Sequence, residues 1–233
     1  MNKELFIKEV EKLNITLNNT MLDQLEQYYE ILVTENEKYN LTAITDKESV
    51  YLKHFYDSLT LSKIIKLDNQ SLCDIGTGAG FPGMVLKIVF PNLNVTLVDA
   101  TEKKCKFLNL VIEKLNLKNI EVINARAEEY SKKVREKYDI VTSRAVAPLK
   151  HLLEYSIPLV KVNGRYIAMK SDLTKELDGI SIYEEKLNLI SKKILTFNLP
   201  VEDSIRTLIS FSKSAPTNLM YPRRYNEIKK KSL

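Results

Sequence analysis

The chain has 233 residues, 35 of them Lys or Arg and 30 Asp or Glu, for a formal charge of +5. With 44% hydrophobic and 28% charged residues it has an ordinary globular balance, which excludes disorder throughout. No apolar run approaches the roughly 20 residues of a membrane span. The charged start MNKELFIKEVEKL has no signal-peptide core. The two Cys (Cys73, Cys105) and two His (His54, His151) lack metal-ligand spacing, so neither a disulfide scaffold nor a metal site is expected. A soluble, cytoplasmic monomer is the default expectation.

Residues 1–66 read as helical. Leu22, Leu25, Tyr28, Tyr29, Leu32 and Val33 recur at helical spacing, and a further helix is expected from about Lys47 to Ile65. The first 75 residues contain no Gly or Pro, which argues against a β-rich start. Near Leu67 the character changes. Short apolar strands (71–75, 95–99, 120–123, 138–142, 164–169) alternate with helical segments (82–89, 102–115, 149–160). Such alternation means βαβ units and a parallel sheet covered on both faces. Two closing strands, 190–199 and 205–211, read as an antiparallel pair at one sheet edge. The expected organisation is a helical extension (1–66), an α/β core (67–213) and a basic tail (214–233). That tail is +4 from Pro222 onward, carrying Arg223, Arg224, Lys229, Lys230 and Lys231 against Glu227, whereas the rest of the chain is +1.

Four of the six glycines lie in Asp74-Ile75-Gly76-Thr77-Gly78-Ala79-Gly80-Phe81-Pro82-Gly83, between the first core strand and its helix. Gly78, Gly80 and Gly83 fit the dinucleotide pattern G-x-G-x-x-G. Gly76, Gly78 and Gly80 fit G-x-G-x-G with an acid two residues earlier. The acid decides between them. A carboxylate at Asp74 repels a pyrophosphate and attracts an ammonium group. S-adenosylmethionine carries an ammonium and a sulfonium and no phosphate. Asp99 ends the second strand, where a carboxylate can accept hydrogen bonds from both ribose hydroxyls. The pattern favours S-adenosylmethionine over NAD.

These residues resemble the RsmG (GidB) family, guanine-N7 methyltransferases of bacterial small-subunit (16S) ribosomal RNA. The likeness is carried by Asn40-Leu41-Thr42, His54-Phe55-Tyr56-Asp57-Ser58, Gly-Phe-Pro-Gly at 80–83, Val98-Asp99, Lys103-Lys104 with Phe107-Leu108, Arg126-Ala127-Glu128, Ser143-Arg144-Ala145, Ala168-Met169-Lys170 and Tyr221-Pro222-Arg223-Arg224. It departs from the family at Lys104, where the family has Arg, and after Arg224, where Tyr225-Asn226-Glu227-Ile228 replaces Gly and Pro. The resemblance implies a class I S-adenosylmethionine-dependent methyltransferase fold: Rossmann-like, with a mostly parallel seven-stranded sheet and an antiparallel last pair. It implies a cofactor site at Asp74, Gly76, Gly78, Gly80, Phe81, Asp99, Ala127, Glu128 and Arg144, with Ala127 and Glu128 beside adenine and Arg144 near the reacting end. Its implied partner is 16S rRNA or a small-subunit particle, with Lys103, Lys104, Arg223 and Arg224 on the RNA.

Guanine N7 has a free lone pair and no proton to lose, so methyl transfer to it needs no general base. The chain has neither the Asn-Pro-Pro-Tyr of adenine-N6 enzymes nor the Pro-Cys of a cytosine-C5 nucleophile. Cys73 and Cys105 sit inside a strand and a helix, as core residues do. Arg144 closes the fourth strand and is the alignment candidate. His54 and Asp57 share a helical face, as a local hydrogen-bonded pair or as pocket lining. The alternatives left open are a methyltransferase acting on another RNA, a small molecule or a protein, and a non-catalytic RNA-binding assembly factor.

Overall fold

The computed structural model describes every residue except 172, 174, 175 and 232. Its strands are β1 (Ser71–Ile75), β2 (Asn94–Asp99), β3 (Ile120–Asn124), β4 (Tyr138–Arg144), β5 (Val160–Lys170), β6 (Leu189–Asn198) and β7 (Ile205–Lys213). They form one sheet in the order β3-β2-β1-β4-β5-β7-β6. The first five are parallel, and β7 runs antiparallel between β5 and β6. β1 is buried on both faces, which is why Leu72, Cys73 and Ile75 are all apolar, with Asp74 the one charged residue among them. The edge strand β6 is mostly exposed and carries Lys192 and Lys193, charges that discourage pairing with another chain. Among the described residues, no helix is long and apolar enough to cross a membrane.

Helices α1 (Lys3–Glu11) and α2 (Asn19–Tyr39) begin where Asn2 and Asn18 accept the N–H of Leu5 and Met21, each at 2.9 Å. α2 ends at Asn40, which takes the left-handed conformation (φ +49°) that Asn tolerates. The expected helix over 47–65 is composite. α3 (Lys47–Val50) passes into a π-helical turn, Tyr51–Tyr56, then α4 (Asp57–Leu59) and a 3-10 turn, Thr60–Lys63. At the π turn the Asp57 N–H reaches back to Leu52 and His54 and bypasses the Lys53 carbonyl. That insertion turns His54 and Asp57 toward the sheet.

The remaining helices are α5 (Gly83–Val89), α6 (Glu102–Lys114), α7 (Ala127–Lys133), α8 (Leu149–Ser156), α9 (Ser181–Lys186) and α10 (Tyr225–Lys230). α8 stops short of the expected Val160, because Pro158 has no N–H to continue it; Val160 already belongs to β5. One face of the sheet is covered by α5, α6 and the amino-terminal helices. There Phe6, Leu25, Tyr28 and Phe55 share a core with Met84, Phe107 and Leu108. Each such side chain contributes about 1.5–3 kcal/mol by burial, so the first 66 residues are an integral layer. The other face is covered by α7, α8 and α9. The tail is no free arm. Tyr221 is buried ahead of α10, and Ile228 is the buried residue within it.

Candidate active site

β1 lies between β2 and β4, so the connections reverse beside it and leave a crevice at the strands' carboxyl ends. A cavity of about 1020 Å³ opens there. Its floor is the β1–α5 loop. Asp74 is wholly buried beneath that loop, and its Oδ2 accepts from the Thr77 hydroxyl at 2.7 Å and the Gly83 N–H at 2.8 Å. Oδ1 has no partner among the described residues. Burial pushes the Asp74 pKa up to about 6, against the lowering effect of those two bonds and of Arg144. Asp74 is not among the residues that line the cavity; it shapes the loop from behind.

The loop glycines differ in what they do. A Cβ on Gly76 would lie 2.6 Å from Val146, and one on Gly80 would lie 2.6 Å from the Tyr28 hydroxyl. A Cβ on Gly78 (φ +62°) would meet nothing nearer than the Gly76 carbonyl at 4.0 Å. Gly78 therefore presents bare backbone to the cavity. Asp99 closes β2; it accepts the Gly78 N–H at 2.9 Å and the Thr101 N–H at 2.8 Å. Tyr28 supports the loop from α2, donating its hydroxyl to the Ala79 carbonyl and packing its ring against Phe81 and Phe55.

At one end of the cavity stands Arg144. Its Nη1 donates to the Lys53 carbonyl at 2.8 Å and to Asp57 Oδ2 at 3.1 Å. Nη2 lies 3.2 Å from His54 Nδ1, and the guanidinium sits 5.2 Å above the Phe81 ring. His54 stacks flat on Phe81, with centroids 4.3 Å apart, and its Nε2 is 3.0 Å from the Thr42 hydroxyl. The other Asp57 oxygen accepts from Arg206 Nε at 3.1 Å. One buried carboxylate thus holds two guanidiniums. Burial and the neighbouring Arg144 charge push the His54 pKa down to about 3. Beyond β4 the chain turns at Ala145 (φ +54°), and Lys170 holds the loop by donating to the Ala147 carbonyl at 2.6 Å.

At the other end the wall is Ala125, Arg126, Ala127 and Glu128 from the β3–α7 junction, with His151 and Tyr155 from α8. Burial pushes the Tyr155 phenol up to about 12, with the Glu128 carboxylate adding to it. Lys104 also lines the cavity, 3.9 Å from Asp99, while Lys103 is exposed away from it.

A family model described as GidB, rRNA small subunit methyltransferase G, matches residues 21–203. The chain belongs to the rRNA small subunit methyltransferase G family. A ribosomal RNA small subunit methyltransferase G of Acetivibrio thermocellus is 46% identical over 99% of this chain and 96% of its own. One from Bacillus cereus is 47% identical over 96% and 95%. The fold likeness reaches further. A SAM-dependent methyltransferase from Aquifex aeolicus superposes with a TM-score of 0.52 at 15% identity, over 77% of this chain and 97% of that one. TYW2 of M. jannaschii, in complex with AdoMet, gives 0.55 at 15% identity, over 72% and 77%. As a member of its family the chain is an S-adenosylmethionine-dependent rRNA methyltransferase. The cavity fits that donor: bare backbone at Gly78, a carboxylate at Asp99, and a buried acid below the loop that would repel a pyrophosphate.

In this family member, Gly76, Gly78, Phe81, Asp99, Ala127, Glu128 and Arg144 all line one cavity. Gly80 packs behind it. Arg223, expected on the RNA, is partly buried against α8. Its guanidinium makes two 2.8 Å bonds to the fully buried Glu154, so it is committed to the fold; Arg224 is exposed. Sequence patterns missed Arg206, Val146, Tyr28, Tyr225 and Lys229. Tyr28 reads only as one member of a helical series, and the other four belong to no motif of regular spacing; each reaches the site through tertiary packing.

Proposed function

We propose that this enzyme transfers the methyl group of S-adenosylmethionine to N7 of a guanosine in 16S rRNA, as a cytoplasmic monomer. Bound S-adenosylmethionine supplies an electrophilic methyl on a sulfonium. Gly78 admits the methionine portion against its backbone, Asp99 accepts from the ribose hydroxyls, and Ala127 with Glu128 borders adenine. Phe81 and Arg144 mark the reacting end, where Leu41, Thr42, Ile44 and Arg206 leave room for a base.

One observation carries the choice of N7. At the Arg144 end, the two groups able to take a proton, His54 and Asp57, are both engaged: His54 by Arg144 and Thr42, Asp57 by two guanidiniums. That suits an acceptor nitrogen with nothing to deprotonate. A methylated N7 leaves the base positively charged. Asp57 between Arg144 and Arg206 tempers the positive field that would oppose this product. Arg144 can hold O6 or a phosphate, but a donor placed on N7 itself would block the lone pair. In A-form RNA the N7 edge lies in a deep, narrow groove, so a looped or splayed-out guanosine is the substrate that can enter.

The test is tritiated methyl transfer to 16S rRNA and to small-subunit particles from cells lacking the gene, followed by nuclease digestion. Labelled 7-methylguanosine is expected. Label in any other nucleoside, or in protein, would overturn the proposal.

A further inference from the structure

The C-terminal segment is fastened to the cavity wall. Arg135 donates to the carbonyls of Tyr221 at 2.8 Å and Thr217 at 2.7 Å. Glu154 grips the Arg223 side chain and accepts its backbone N–H at 2.8 Å. Ile228 is buried, and the Leu233 N–H donates to the Tyr183 hydroxyl at 3.1 Å. These ties hold α10 so that Tyr225 and Lys229 line the cavity together with Arg126, Ala127, Glu128 and Tyr155. The Arg126 guanidinium lies 5.4 Å from the centre of the Tyr225 ring. Tyr225 is 40% exposed, so its ring is not consumed by core packing.

An aromatic ring oriented by a cation, at the end of a cavity that takes an adenosyl group, has the chemistry of a purine platform. We propose, resting on the assignment of adenine to Ala127 and Glu128, that α10 is a wall of the adenosyl pocket and that Tyr225 stacks on the adenine. The ion pair Arg223–Glu154 is the positioning device: it fixes the start of the helix that carries Tyr225. The basic tail is then part of the cofactor site as well as a carrier of charge. Removal of a stacking ring weakens base binding about 5- to 150-fold.

The chain contains no Trp, so Tyr225→Trp places a single indole at this position. S-adenosylhomocysteine and 5′-methylthioadenosine are expected to quench its fluorescence, and methionine is not. In calorimetric titrations of the full chain, Tyr225→Ala is expected to weaken both adenosyl ligands while Tyr225→Phe retains them, with ligand-free melting unchanged in both. Ala127→Leu serves as the control for the adenine position. If it blocks 5′-methylthioadenosine while Tyr225→Ala binds normally, adenine lies as assigned and the platform is overturned. If Ala127→Leu also binds normally, the assignment fails and the platform falls with it. An indole indifferent to both adenosyl ligands overturns the proposal directly.

Discussion

His54 Nδ1 lies 3.2 Å from Arg144 Nη2 and 3.2 Å from the Lys53 carbonyl oxygen. A guanidinium can only donate and a carbonyl can only accept; the charge-assisted bond from Arg144 is the stronger, and it leaves Nδ1 without a proton. The imidazole proton then sits on Nε2, where the Thr42 hydroxyl is its acceptor at 3.0 Å. That hydroxyl oxygen also accepts the Ile44 N–H at 3.1 Å. Helix α2 ends at Asn40 and Asn36 accepts the N–H groups of Leu41 and Thr42, which sets Thr42 in place. A helix cap thus reaches the active site through one threonine, one neutral histidine and one arginine. His54 is a positioning residue for Arg144.

At saturating cofactor, the rate of methyl transfer should therefore show no inflection near pH 6.5 that depends on His54. His54 stays neutral from pH 8 to well below 6, its pKa lying near 3. The folded-state value is depressed, so its stabilising contribution is present above pH 6.5 and is lost as pH falls toward 3. Between pH 7 and pH 5 the stability advantage of wild type over His54→Gln should shrink by about 2 kcal/mol. Urea unfolding at the two pH values measures it. A rate inflection near 6.5 that disappears in His54→Gln would show a general base and sink this account.

Gly78 and Gly80 should fail in different ways. Gly78→Val fills open cavity space; its positive φ costs about 1 kcal/mol of stability, but binding of S-adenosylhomocysteine should be lost. Gly80→Ala drives a methyl into the Tyr28 hydroxyl and the Met84 Cβ at 2.6 and 2.9 Å, at φ +100°. It should destabilise the fold by roughly 2–4 kcal/mol. Melting and calorimetry on both variants separate the two; equal loss of stability would contradict the assignment.

Asp74 tests charge against shape. Asp74→Asn keeps an acceptor for the Gly83 N–H and removes the cost of a buried charge. The variant should melt no lower than wild type at pH 7. It should bind cationic S-adenosylmethionine at least about tenfold more weakly, since a nearby charge in protein surroundings is worth more than about 1 kcal/mol. Neutral 5′-methylthioadenosine should bind as before. Equal weakening of both ligands would mean that the carboxylate acts through loop shape alone.

Much of this architecture is legible in the chain because its periodicities are strong. Strand–helix alternation and the glycine loop locate the sheet and the crevice, and Asp99 and Arg144 fall at strand ends that open on it. The composite helix over Lys47–Lys63 is not legible, since a π turn carries the same residue types as an α turn. Nor is Arg206, which lies on β7 and meets Asp57 across 149 residues of chain. The tail misleads for a compositional reason. Five cations suggest solvent, whereas Tyr221 and Ile228 supply enough apolar surface to dock it and Glu154, hidden in α8, neutralises Arg223.

The same contrast gives the last prediction. Arg223→Ala leaves Glu154 buried without its partner, which costs about 3–5 kcal/mol. Arg224→Ala removes an exposed charge and should shift stability by no more than about 0.5 kcal/mol. RNA binding should respond in the opposite order. Arg224, Lys230 and Lys231 are exposed on the last turn and flanks of α10, and each can neutralise a phosphate. Replacing all three by Ala should flatten the salt dependence of log K on single-stranded RNA by about 0.7 for each phosphate no longer neutralised, about 2 in all. The adenosyl pocket keeps Tyr225 in that triple variant, so S-adenosylhomocysteine should bind it as it binds wild type. A salt slope equal to that of wild type would leave these three cations solvated and remove them from the RNA interface.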